Sequence, residues 1–247
     1  MFSAWLDSRL AKQGSINRNR TTHATLTMHT LMTAVGAFRV FDTQSSEPCV
    51  VFVPDGPNVI EHYAALFNLL SQQLRVVCFD MPGFGFSLPE PTYTHSLDQG
   101  ARAVIGVLDA LDIERATLAF SCANGFYALR AAQLSPQRIA SLFLSQTPSL
   151  EAVHAWANRI IPWPIRVPVI GQTVAWLARN KSAHAWYDIA LPKTTDRDPY
   201  RRIAHEALAS GGCSMGQGWC KVLLSAPTDS CQINAFQTSF TNQGIPQ

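Results

Sequence analysis

The rhythm of apolar positions changes along this chain, and each change predicts a different kind of structure. Residues 1–28 are polar and rich in Thr and Asn, relieved only by Phe2, Trp5, Leu6 and Leu10, and predict a polar N-terminal segment. From residue 29 the pattern becomes strand-like, and "LMTAVGAFRVFDT" (31–43) predicts a hairpin around Gly36. "PCVVFVPDG" (48–56), "LRVVCFD" (74–80), "ATLAFS" (116–121) and "IASLFLS" (139–145) are apolar nearly throughout, which suits strands buried on both faces. Between them, "VIEHYAALFNLLSQQ" (59–73), "SLDQGARAVIGVLDALD" (96–112) and "ANGFYALRAAQLS" (123–135) place apolar residues at helical spacing. Ser96 or Asp98 stands where the second of these would be capped. Such alternation predicts an α/β core over 29–149, a mostly parallel sheet with helices on both faces.

Beyond Pro148 the rhythm breaks. Helical runs continue to about residue 225 without another buried-type strand, and they carry Trp156, Trp163, Trp176, Trp186 and Trp219. An aromatic-rich helical insertion after a sheet strand predicts a lid over 150–225 that roofs a pocket. The plainer alternative is that these rings pack the insertion against the sheet. Residues 226–247 end in "FTNQGIPQ" and read as a return segment toward a strand that is missing.

Composition narrows the function classes. A net charge of +2 with no block of Lys and Arg argues against nucleic acid as a partner. The longest apolar stretch, "IIPWPIRVPVIG" (160–171), is interrupted by prolines and Arg166, so no membrane span is expected. "MFSAWLDSRLAKQ" lacks the apolar core of a signal peptide, and a cytoplasmic setting is the expectation. The six cysteines show neither a C-x-x-C pair nor histidines at zinc-like spacing, which predicts free thiols, no metal and no disulfide framework.

Candidate chemistry gathers at "AFSCANG" (119–125), where an apolar strand gives way to a helix and offers both Ser121 and Cys122. "VVFVPDGPNVIEHY", "RVVCFDMPGFGFS" and "ATLAFSCANGFYALRAAQ" together resemble the α/β-hydrolase superfamily in order and spacing. D-x-P-G-x-G-x-S, running from Asp80 to Ser87, is the most specific of the three. The resemblance implies a nucleophile elbow, with Gly125 three residues after Cys122 when Cys122 is the nucleophile; Ser121 is the alternative. Phe120 and Asn124 stand where the family has glycines. A thiol at a helix N-terminus is expected to have a lowered pKa. The oxyanion hole implied by the resemblance consists of the Gly56 and Ala123 N–H groups. Asp55 beside it would oppose a developing negative charge unless turned away.

Asp80 is expected to brace its loop. A dinucleotide reading of Gly83 and Gly85 fails, because Leu88 occupies the place of the third glycine. The family's acid and histidine follow its later strands. None of His23, His29, His62, His95, His154, His184 and His205 occupies the expected place, nor does Glu151 or Asp188. The implied activity is cofactor-free hydrolysis of an ester, lactone or thioester bond in a small apolar acyl-type substrate. The chain is expected to lack its base, as a fragment of a longer hydrolase, a chain completed by a partner or a degenerate binder; the first is preferred. The alternative function is a non-catalytic apolar-ligand-binding or interaction protein. In either case "IASLFLS" is expected as a sheet edge with apolar faces on both sides, open to a partner or to self-association.

Overall fold

The computed structural model describes residues 9, 26–160, 163–167 and 169–209. The expectations for 1–25 other than Arg9, for Trp219 and for the return segment lie outside the described residues. The strands are β1 (Met28–Thr33), β2 (Gly36–Asp42), β3 (Cys49–Val53), β4 (Arg75–Phe79), β5 (Leu88–Pro89), β6 (Ala116–Ser121) and β7 (Ile139–Ser145). They form one sheet in the order β1-β2-β4-β3-β6-β7, with β5 paired to β2. The strands from β4 through β3 and β6 to β7 run parallel, and β1, β2 and β5 add an antiparallel side.

The central strands form because their sequences can be buried on both faces. Val76, Val77, Cys78 and Phe79 of β4 are all fully buried. The β1–β2 hairpin closes with Thr33 opposite Gly36. Gly36 has φ +146°, and a Cβ there would lie 2.1 Å from the Leu88 carbonyl oxygen, so a side chain would evict β5.

The helices are α1 (Ala64–Leu70), preceded by a 3₁₀ turn at Ile60–Tyr63, α2 (Leu97–Ala110) and α3 (Asn124–Leu134). α2 starts where the Ser96 hydroxyl accepts the Gln99 N–H at 3.3 Å, a capping bond of about 1 kcal/mol. Its buried stripe of Leu97, Ala101, Val104 and Leu108 joins the main core, which α3 enters with Phe126, Ala128, Leu129 and Ala132. The two helices cross closely, since a Cβ on Gly100 would meet the Tyr127 ring at 2.1 Å. The other face of the sheet is covered by α1, whose Phe67 stacks on Phe41 at 5.3 Å. After β7 come α4 (Leu150–Ile160), α5 (Trp163–Arg166), α6 (Ile170–Ala190) and α7 (Asp198–Ala209).

Among the described residues β7 is the terminal strand of the parallel side. Its faces are unequal, which corrects the expectation of two apolar faces. Leu142 and Leu144 pack on the core with α3, whereas Ser141 and Phe143 of the opposite face are exposed. Phe143 is 66% exposed, and the Ser141 hydroxyl hydrogen-bonds Thr117 of β6 at 2.8 Å. Strand alternation puts these residues on the α1 side, where Phe143 shares a cavity with Leu66 of that helix.

Candidate active site

At the end of β6 the chain turns within one residue. Cys122 has φ +53°, in the left-handed region that a side chain rarely adopts, and α3 begins two residues later. The bend is held from both directions: the Cys122 N–H donates to the Ser145 carbonyl at 2.9 Å, and the Gly125 N–H donates to the Cys122 carbonyl at 3.1 Å. Gly125 has no alternative here, since a Cβ would lie 2.2 Å from the Thr147 hydroxyl oxygen. Phe120 is a strand residue, not a turn residue, and its ring is buried in the core beside α3. Ser121, the last residue of β6, lines a cavity of about 180 Å³ with Phe52, Tyr63, Phe143 and Ser145, on the α1 side of the sheet.

The loop after β3 faces this bend. Asn124, buried at the start of α3, donates from its amide to the Pro54 carbonyl at 3.0 Å and so fastens the loop to the elbow. The Asn58 N–H donates to the Asp55 carbonyl at 2.8 Å, and the Asp55 N–H reaches the Tyr63 hydroxyl at 3.4 Å. Gly56 is buried in that loop, and its N–H donates to none of the described residues. Sequence reasoning missed the tether. Its signal was an amide side chain in a place that the family gives to glycine.

A buried ionic cluster anchors the same loop from behind. Arg39 of β2 forms a two-pronged pair with Glu61 of the 3₁₀ turn, lies 3.7 Å from Asp80, and stacks 4.6 Å over the Phe86 ring. Asp80 accepts the Phe86 N–H at 3.1 Å and fills the space where Gly85 has no Cβ. It therefore braces its turn.

The profile of the Alpha/beta hydrolase family matches residues 50–230. This chain belongs to that family. It is 31% identical over 173 residues to a zearalenone hydrolase of Bionectria ochroleuca, covering 64% of this chain and 65% of that protein. It is also 31% identical over 105 residues to a 2-hydroxymuconate semialdehyde hydrolase of Pseudomonas sp. strain CF600, covering 42% of this chain and 37% of the relative. The matched region thus spans less than two thirds of these relatives' lengths. Two solved structures share the fold at low identity. Cfl2 of Burkholderia cenocepacia has a TM-score of 0.72 at 16% identity, over 90% of this chain and 78% of its own. The carboxylesterase CesB of Bacillus subtilis has a TM-score of 0.57 at 15%, over 85% and 68%.

Electrostatics at the elbow differ from what a helix N-terminus suggests. Burial pushes the Cys122 thiol up to about 11, the negative charge of Asp55 pushes in the same direction, and the Ala123 N–H only partly offsets them. Burial also pushes Asp55 up to about 7. Among the described residues no histidine hydrogen-bonds Cys122. His62 accepts the Val59 N–H at 3.1 Å and stacks on Tyr200 of α7, while His95 is buried edge-on to Tyr93. His184 and His205 line a separate, charged cavity of about 600 Å³ with Asp196, Asp198 and Arg201.

Of the tryptophans, Trp156 packs against the main core, Trp186 joins a cluster around Tyr187, and Trp163 is exposed. That cluster meets the loop after β3 through Tyr187, whose hydroxyl donates to the Asn58 side-chain oxygen at 3.0 Å. Among the described residues no three His, Cys, Asp or Glu side chains gather as metal ligands would, and no helix is long and apolar enough to cross a membrane.

Proposed function

We propose that this chain carries the acylating half of a hydrolase for ester, lactone or thioester bonds in small apolar acyl substrates. Cys122 is its nucleophile, and the Gly56 and Ala123 N–H groups hold the oxyanion. The observation that carries this reading is the backbone of Cys122. A non-glycine residue at φ +53° between a buried strand and a helix costs stability, and such strain is kept where a side chain must be presented at a corner. Ser121 has no comparable claim, since it ends an ordinary strand and lines the α1-side cavity. The relatives' names as hydrolases point the same way. In the acylating step the Cys122 thiol gives its proton to solvent, its sulfur bonds to the carbonyl carbon and the carbonyl π pair moves to oxygen; collapse expels the alkoxide or thiolate, which takes a proton from water. Hydrolysis of the acyl-thioester then needs a proton acceptor, which on this reading lies outside the described residues.

One observation favours a second reading, a binder that keeps the pocket without turnover. With the thiol pushed up to about 11, only about one molecule in ten thousand holds a thiolate at pH 7. Mixing the protein with p-nitrophenyl butyrate in a stopped-flow instrument separates the two. The hydrolase reading expects a release burst that Cys122→Ala abolishes and Ser121→Ala leaves intact. Absence of acylation, combined with saturable uptake of an apolar probe, establishes the binder.

A further inference from the structure

The loop after β3 is held at both ends by residues distant in sequence. At one end Asn124 ties Pro54 to the elbow. At the other, Tyr187 of α6 donates its hydroxyl to the Asn58 side-chain oxygen at 3.0 Å, across 129 positions of chain. Tyr187 is only 1% exposed, so its hydroxyl depends on that partner. The ring is fixed as firmly as the hydroxyl. It lies edge-on to His62 and tilted against Tyr200 of α7, each at 5.8 Å, while His62 and Tyr200 stack at 5.0 Å. His62 in turn accepts the N–H of Val59, the residue after Asn58. α7 reaches the same stretch with Ile203 and Ala207, which pack on Val59 and Phe86. Helical layer and loop therefore dock together, and the Tyr187 hydroxyl is the hydrogen bond through which that docking grips the turn.

The turn carries the proposed oxyanion donor, and its geometry leaves that donor one direction. The Asn58 N–H donates to the Asp55 carbonyl at 2.8 Å. The Asp55 C=O and the Gly56 N–H belong to one planar trans peptide, in which they point opposite ways. With the carbonyl turned in toward Asn58, the Gly56 N–H is turned out, where it donates to none of the described residues. Rotating that peptide to swing the N–H inward would break the bond from Asn58. Whatever holds Asn58 in place therefore also aims the Gly56 N–H.

We propose that Tyr187 is a positioning residue for acyl transfer: its hydrogen bond to Asn58 locks the 55–58 turn and so aims the Gly56 N–H at the oxyanion. This rests on the hydrolase reading and gives the α6–α7 layer a part in it. Tyr187 touches no reacting atom, and its hydroxyl acts only through Asn58.

Two measurements on Tyr187→Phe test this, one of them independent of activity. The control is Tyr200→Phe, which alters the same ring cluster but not the bond to Asn58. In amide hydrogen exchange followed by NMR, Tyr187→Phe is expected to speed exchange of the Asn58 N–H at least about fivefold. The Ser71 N–H, bonded to the Phe67 carbonyl at the end of α1, opens locally and should keep its rate. Unchanged exchange at Asn58, or equal acceleration at Ser71 or in Tyr200→Phe, overturns the inference. In the p-nitrophenyl butyrate burst, the saturating acylation rate of Tyr187→Phe should fall at least about tenfold, while the half-saturating ester concentration changes less than about twofold. Tyr200→Phe should match the unaltered chain in both. An unchanged saturating rate, or a change confined to half-saturation, overturns the inference as well. A burst without faster Asn58 exchange sinks Tyr187 alone. Faster exchange with no burst in the unaltered chain sinks the hydrolase reading and leaves the tether standing.

Discussion

Replacing Cys122 by glycine should leave the protein more stable than replacing it by alanine, the reverse of the usual order. Both variants lose the sulfur, so their difference isolates the backbone. At φ +53° an alanine pays the left-handed penalty of about 1–2 kcal/mol that glycine avoids. Glycine forfeits about 0.4–1 kcal/mol of that advantage, because its unfolded chain is freer. The net is about 0.5–1 kcal/mol in favour of Cys122→Gly. Ser121 supplies the control one residue earlier. It lies in an ordinary strand, paired with Ser145, where glycine should be worse than alanine by about 0.5–1 kcal/mol. The assay is urea unfolding followed by tryptophan fluorescence, with the four variants run side by side. If Cys122→Gly unfolds at lower urea than Cys122→Ala, as the Ser121 pair should, the chain does not turn at Cys122 and the elbow argument fails.

Other expectations follow from the same geometry. Arg39→Ala leaves Glu61 and Asp80 buried without their cation and should cost about 3–5 kcal/mol in urea unfolding. Gly125→Ala drives a methyl into Thr147 and should cost about 1–3 kcal/mol, with part of the loss recovered in Gly125→Ala/Thr147→Gly. Tyr187→Phe removes the donor to Asn58 and should cost about 1 kcal/mol. Iodoacetamide labelling of Cys122, followed by peptide mass spectrometry, should accelerate about tenfold per pH unit from pH 7 to 9.5. The reason is that the thiolate fraction grows with pH until the pH reaches the raised pKa of about 11; a rate already at plateau by pH 7.5 would contradict the burial argument.

The sheet was legible because burial on both faces needs consecutive apolar residues, and "VVFV", "VVCF" and "LAF" supply them. The cap, which the sequence offered as Ser96 or Asp98 and the structure gives to Ser96, and Asp80 as a brace were legible for a related reason: each acts on backbone a few residues away. The sharp bend at Cys122 falls at the strand-to-helix boundary that the sequence marks, but what forbids a side chain at Gly125 is Thr147, a tertiary neighbour. Phe120 was harder. Whether a bulky residue at that point spoils the bend depends on which face of β6 it occupies, and the structure puts it in the core with α3.

What the sequence alone determined is therefore the order of strands and helices, the family motifs and the place where the chain must turn sharply. These depend on hydrophobic period and on backbone demands met by near neighbours. Tertiary structure decided the rest. It brought Asn124 to Pro54 across 70 positions of chain and Arg39 to Glu61 across 22, contacts for which no local pattern exists. It also set the ionisation at the elbow. A helix terminus would lower a thiol pKa, but half-burying the thiol near the Asp55 charge raises it, because removing water from a charge outweighs one N–H contact.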